Sequence, residues 1–236
     1  KPMKLKVLIV FILISSWMSL SAQNIQLHYD LGKNRNHPTT TVEMFKPDKY
    51  GNTFFFIDMD YNSGGVKGVS LAYWEFARVF KTEKMPVGIH AEYNGGMGQL
   101  IMDRSQVGYT LNDAWLGGID YSMNAKDYSK GFSAKILYKY IRDKHEMSFQ
   151  LTGVWYLHFL NNKFTFMGFA DFWREDWDFD FDGTTDTEFI FLTEPQIWYN
   201  INKSFAVGSE IEMSNNFANV KGFQVNPTIG IKWTIN

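Results

Sequence analysis

The chain has 236 residues, a formal net charge of −2, no cysteine and 17% aromatic side chains. That charge balance excludes a basic nucleic-acid-binding face, and the missing cysteine excludes disulfide staples and thiolate chemistry. So high an aromatic fraction fits a protein whose Trp and Tyr gather in belts at two membrane interfaces.

Residues 1–22 read as a cleavable secretory signal peptide. Lys4 and Lys6 precede an apolar stretch from Leu5 to Leu20, followed by Leu20-Ser21-Ala22. The stretch is shorter than the ~20 residues a membrane-spanning helix needs, so cleavage after Ala22 is expected rather than anchoring. The mature chain, residues 23–236, is then one domain with 20 basic against 25 acidic residues.

Period-two runs broken by Gly, Asn, Asp and Pro predict twelve strands, at about 25–31, 39–45, 53–61, 66–79, 87–94, 114–122, 131–141, 147–159, 164–174, 187–199, 205–213 and 222–234. No helix-period segment follows the leader, so the fold class is all-β. In the third strand Phe55, Ile57, Met59 and Tyr61 alternate with Phe54, Phe56, Asp58 and Asp60. The fourth is ambiguous in phase, because Glu75 and Arg78 fall on opposite faces. In the seventh, Phe132, Ala134, Ile136, Tyr138 and Tyr140 oppose Ser133, Lys135, Leu137 and Lys139. The eighth is two-faced: Phe149, Leu151, Trp155, Leu157 and Phe159 against Ser148, Gln150, Thr152, Tyr156 and His158. Pro195 and Pro227 sit inside runs and are expected to mark bulges.

The two longest connections, 95–113 and 175–186, both follow odd-numbered strands. Short turns on one side and long loops on the other fit an even-stranded outer-membrane barrel with both termini in the periplasm. The expectation is therefore a twelve-stranded antiparallel transmembrane β-barrel, apolar faces toward lipid. Its rival, a soluble calyx, requires the apolar faces to point inward.

Charged residues on lipid-facing positions are costly, so those in strands should point into the lumen. This places Glu43, Asp58, Asp60, His90, Glu92, Asp120, Asp171, Glu188, Glu194, Glu210 and Glu212 inside, with Lys135, Lys139 and Lys232 as basic counterparts. His158 and the aromatics Phe45, Phe54, Phe56, Phe169 and Trp173 join them. Two readings stay open. The charges form a structural network that satisfies a polar interior, or their acidic excess repels anions and accepts hydrogen bonds from sugar hydroxyls. The aromatics fill a narrow bore, or stack on a nucleobase.

Asp178, Asp180, Asp182 and Gly183 match the D-x-D-x-D-G start of an EF-hand, but its twelfth position is Phe189, with Glu188 one short. A solvated acidic loop is the expectation, weak calcium binding by Asp178, Asp180 and Asp182 the alternative. No cofactor is expected. Nor is catalysis: Ser148 lies ten residues from His158 on the same strand, which is ~33 Å. His37 and His145 fall in loops, and nothing joins a nucleophile, a histidine and an acid.

Lys49-Tyr50-Gly51-Asn52-Thr53-Phe54-Phe55-Phe56-Ile57-Asp58, followed by Ser70-Leu71-Ala72-Tyr73-Trp74-Glu75, resembles the Tsx-like nucleoside-specific channels of Gram-negative outer membranes. Leu27–Gly32, Thr39–Gly51, Gly153–Phe159, Gly168–Asp176 and Glu194–Asn200 resemble, over nearly the whole mature chain, a branch from Bacteroides-type bacteria classed as a domain of unknown function. The resemblance implies a twelve-stranded barrel that passes nucleosides or similar solutes. The expected function is a passive outer-membrane channel for small neutral or cationic solutes, monomeric, partnered by the lipid bilayer and a nucleoside-like solute. The alternatives are a structural or adhesive barrel without transport, and a membrane-embedded hydrolase or acyltransferase.

Overall fold

The computed structural model describes residues 23–33, 35–82, 85–144, 147–179 and 183–235; the expected leader lies outside the described residues. Thirteen β segments follow one another: β1 (Gln23–Asp30), β2 (Pro38–Asp48), β3 (Gly51–Tyr61), β4 (Val69–Phe80), β5 (Val87–Met102), β6 (Ser105–Asn124), β7 (Lys130–Ile141), β8 (Ser148–Phe159), β9 (Phe164–Trp177), β10 (Asp186–Thr193), β11 (Gln196–Asn200), β12 (Phe205–Asn215) and β13 (Phe223–Ile235). Each is antiparallel to its neighbours, and β13 pairs back onto β1 from Gln23↔Ile235 to Asp30↔Thr228. Closure leaves no unpaired edge along the wall, the condition for a sheet to cross lipid.

β10 and β11 are a single stave. Thr193↔Ala170 and Gln196↔Met167 keep one register against β9, and Thr193↔Met213 and Gln196↔Glu210 keep one against β12. Pro195 has no N–H to give the ladder, so pairing lapses there without any inserted residue. The bulge expected at Pro195 is thus an interruption only. Pro227 behaves alike, with Gly208↔Gly230 and Ile211↔Pro227 in the same register. Thirteen segments make twelve staves, as the alternation predicted.

True register shifts occur at Asp60/Tyr61 and at Asn94/Gly96. The second corrects the largest boundary error. Residues 95–113, expected to be a loop, extend β5 and β6 into a long hairpin closed by Asp103 and Arg104, with φ of 47° and 67°. Two left-handed residues make the tight turn whose twist matches a hairpin. Gly95 and Gly96 thus mark a bulge inside a strand, not its end. The fourth strand also starts later than expected, after a short 3₁₀ turn at Ser63–Gly65.

Counted by staves, the connections after even-numbered ones are short, such as 49–50 and 201–204, while the opposite rim carries 31–37, 62–68, 178–185 and 216–222. Gly51, in the Lys49-Tyr50-Gly51 signature, has φ +137°, and a Cβ there would sit 1.8 Å from the Val79 carbonyl oxygen. Only glycine lets β3 leave so tight a turn.

Burial is inverted relative to a soluble protein. Ile89, Ile136 and Ile229 are 62–68% exposed, whereas Gln26, His28, His90 and Ser214 are 3% or less. The apolar faces point out and the polar faces in, which rules out the soluble calyx. Outward rings gather near both rims. On one side Tyr93, Trp115 and Tyr140 lie 5.5 and 5.8 Å apart in sequence. On the other, Phe164 packs against Phe159 and Tyr199, and Phe205 stacks on Trp233. Two aromatic girdles bounding an apolar band are the mark of a barrel in lipid.

Candidate functional site

Strand alternation delivers the expected lumen residues to the inner face. Glu43 accepts from Asn24 Nδ2 at 2.9 Å. Asp60 accepts from Thr39 at 2.6 Å and lies 3.5 Å from His37. His90 Nε2 sits 2.7 Å from Glu92, which also accepts from Asn94 at 3.0 Å. Asp120, buried, faces Lys135 across β6 and β7. His158 meets the Thr165 hydroxyl at 2.9 Å, near the short-turn rim. Phe54, Phe56 and Tyr73 form a row of tilted rings, each 5.9 Å from the next.

The phase of β4 is settled by its partner. Phe56↔Glu75 and Asp58↔Tyr73 put Tyr73 and Glu75 inside, the hydroxyl donating to the carboxylate at 2.7 Å. Arg78 turns out at the short-turn rim, holding both oxygens of Asp48 at 2.7 and 2.9 Å. Glu75 and Tyr73 were absent from the expected site. Pairing β4 against the clean phase of β3 was the signal that finds them.

The lumen has two differently organised walls. Around β7–β9, Lys139 Nζ donates to Gln150 at 2.8 Å and lies 4.1 Å from the Trp173 ring centre. Trp173 Nε1 donates to Glu175 at 2.8 Å, and Thr152 donates to Asp171 at 2.5 Å. Lys135 and Lys139 stand within electrostatic range of Glu75, Glu92 and Asp171.

The other wall runs through β10–β13 and β1–β3. Here Glu194 lies within electrostatic range of Glu210, Asp58, Glu212 and Glu75. Gln196 bridges, donating to Glu210 at 2.5 Å and accepting from Trp198 Nε1 at 2.8 Å. Lys232 Nζ rests 4.1 Å from the Trp198 ring centre, with the Met167 sulfur at 3.7 Å. His28 meets Trp198 edge-on, its ring nitrogens on Thr228 and Gln26. Trp198, Gln196 and His28 were all missed, although their places on the inward phase were readable.

At the long-loop mouth, Arg35 reaches back into the barrel. Its guanidinium contacts Asp30 at 2.6 Å and Glu212 at 2.7 Å. Glu212 also accepts from Asn226 at 3.0 Å. A loop residue therefore neutralises two lumen acids, which no strand-phase argument identifies. Glu188, also expected inside, lies near this rim with Asn216 Nδ2 at 3.2 Å.

Of the expected calcium ligands, Asp178 accepts from the Gly183 N–H at 2.9 Å, while Asp180 and Asp182 lie outside the described residues. Among the described residues no three His, Asp or Glu side chains are arranged to hold a metal ion. Behind His28 stands the amide of Gln26, and His90 contacts the carboxylate of Glu92.

An acid-lined interior inside an apolar, aromatic-bounded wall of twelve closed staves defines a membrane-spanning β-barrel of the outer-membrane porin type. The chain belongs to the family described as Domain of unknown function (DUF5020), whose model matches residues 22–235. Among solved structures it is similar to the KdgM porin, with TM-score 0.51 and 10% identity over 92% of this chain and 100% of the other. A second structure of that porin, in complex with disordered oligogalacturonate, gives 0.51 and 11% over the same shares. The NanC porin gives 0.58 and 10%, covering 91% of this chain and all of its own. At such identities the likeness is one of fold. No curated protein sequence matches this chain.

Proposed function

We propose that this barrel is a passive channel in the outer membrane of a Gram-negative cell, admitting small neutral or cationic solutes, with nucleosides the first to test. The observation that carries the reading is the composition of the inner face: many carboxylates, few lysines, and a row of aromatic rings at Phe54, Phe56 and Tyr73. Carboxylates accept from sugar hydroxyls and repel phosphate, while rings offer stacking area to a base. The resemblance of residues 49–75 to nucleoside channels points the same way. A polyanion such as the oligogalacturonate named for the KdgM porin would be repelled by this lumen, so the shared fold implies no shared solute.

Solute enters between the loops of the long-loop rim, rests on carboxylate and aromatic groups, and leaves past the short turns as a monomer-scale passage with no turnover. Swelling of liposomes containing the purified barrel tests this. Adenosine should enter and adenosine monophosphate should be excluded; equal exclusion of both overturns the reading. The runner-up is a sealed structural barrel, favoured by Trp198 and Ile190 at 0% exposure and Leu137 at 1%, all filling the bore. Absence of any conductance in planar bilayers would decide for it.

A further inference from the structure

The two rims of the barrel differ in how their charges are met. On the long-loop side Arg35, Arg142 and Lys144 each contact a carboxylate. On the other side the five short turns, 49–50, 81–86, 125–129, 160–163 and 201–204, each carry a lysine. They are Lys49, Lys81, Lys126, Lys163 and Lys203, and all but Lys81 are exposed. None makes an ion pair among the described residues. The described acids of these turns and the adjoining strand ends, Asp48 and Asp127, are already engaged. Arg78 holds the first, and the Ser129 N–H and hydroxyl donate to the second at 3.1 and 2.8 Å. The lysines thus form a ring of uncompensated positive charge.

A second observation concerns the residues beside the lysines. Tyr50, Met85, Tyr128, Leu160 and Ile201, one to each turn, are 55–69% exposed. Tyr128 and Leu160 hold φ of 54° and 50°, left-handed values that bulky side chains rarely adopt and glycine takes more easily. Turns bathed in water are built from small polar residues. Five with large apolar tips fit a different medium. The turns also adjoin the aromatic girdle: Phe159 and Phe164 bracket the fourth, and Phe205, stacked on Trp233, follows the fifth. They stand where hydrocarbon gives way to headgroups.

We propose that the short-turn rim is a docking ring for anionic phospholipid headgroups of the leaflet it faces. The lysine ammoniums pair with headgroup phosphates, and the apolar tips enter the layer around them. Lysine suits this place, because its stem lies along apolar surface while its charge reaches outward. A dissolved polyanion would meet the charge but give Leu160 and Ile201 nothing to enter, so the tips select lipid over free phosphate. The inference goes beyond the channel reading and stands whether or not the barrel conducts.

The test uses the full barrel reconstituted in phosphatidylcholine vesicles carrying traces of spin-labelled lipid. The motionally restricted fraction should favour phosphatidylglycerol over phosphatidylcholine by about threefold. The variant Lys49→Gln/Lys126→Gln/Lys163→Gln/Lys203→Gln should lose that preference. Lys33→Gln/Lys67→Gln/Lys221→Gln, on the long-loop rim, should keep it, which controls for lost charge alone. Inorganic phosphate, compared with chloride at equal ionic strength, should not displace the labelled lipid. A heat-modifiable gel shift in each variant verifies folding. Equal restriction of the two lipids by the parent, an undiminished preference in the short-turn variant, or its loss to inorganic phosphate overturns the proposal.

Discussion

Lys139 and Lys232 stand on facing parts of one lumen, each 4.1 Å from the ring centre of a buried tryptophan, yet their surroundings differ. The first donates to Gln150, and Glu75, Glu92, Asp171 and Glu175 surround it at electrostatic range. The second has Glu43 and Glu210 nearby, while Glu194 has Glu210 and Asp58 within electrostatic range. Where acids encircle a lysine, their charge is offset and the network holds the wall together. Where they lie within range of one another, Lys232 stands over the Trp198 ring and Gln196 donates to Glu210. The same residue types are therefore arranged differently on the two walls, and arrangement rather than composition separates them.

The largest effect expected from breaking the comparison is at Lys139. Lys139→Met would strand four carboxylates in a buried site and cost about 3–5 kcal/mol of stability, the usual penalty for removing one partner of a buried charge network. Urea unfolding in micelles, followed by tryptophan fluorescence, measures it; a loss under ~1 kcal/mol would mean the wall does not depend on the lysine. The outward face of the same strand gives a second check. Ile136→Arg, 68% exposed in the parent, should cost about 2–4 kcal/mol in lipid if it lies near the bilayer midplane. Placing it in solvent rather than lipid would erase that cost.

The acid-facing wall should respond with the opposite sign. Glu194→Gln/Glu210→Gln removes mutual repulsion, so stability should rise or stay level, by roughly 0–2 kcal/mol, while cation preference falls. Reversal potentials across a salt gradient read the selectivity, and a strong destabilisation would show that these acids are structural after all. The smallest effect belongs to the mouth. Arg35 is a third exposed, so Arg35→Ala should cost under ~1 kcal/mol, yet it should raise cation selectivity by freeing Asp30 and Glu212. Unchanged reversal potentials would remove Arg35 from any part in selectivity.

Much of this was legible in the strands. The inward positions of Glu43, Asp58, Lys135 and Asp171 followed from alternation alone, because adjacent side chains must leave opposite faces of a strand. Errors came where alternation lapses. Gly95 and Gly96 looked like a strand end and are a bulge, since glycine serves both roles. Glu75 was missed because β4 carries rings on both faces, which blurs its own phase; only its pairing with β3 resolves it. Arg35 acts from a loop, where no periodicity applies.

Local chemistry in the chain was sufficient for the all-β class, the twelve staves, the lipid-facing and lumen-facing sets and the acidic character of the interior, because each depends on period and composition within a strand. The tertiary structure decided which acids share a space. Glu194, Glu210 and Asp58 are separated by up to 152 positions in the chain and come within electrostatic range only because β13 closes onto β1 in a set register. That closure turns a list of inward residues into two walls whose acids and lysines are differently arranged, and no pattern along a single strand contains it.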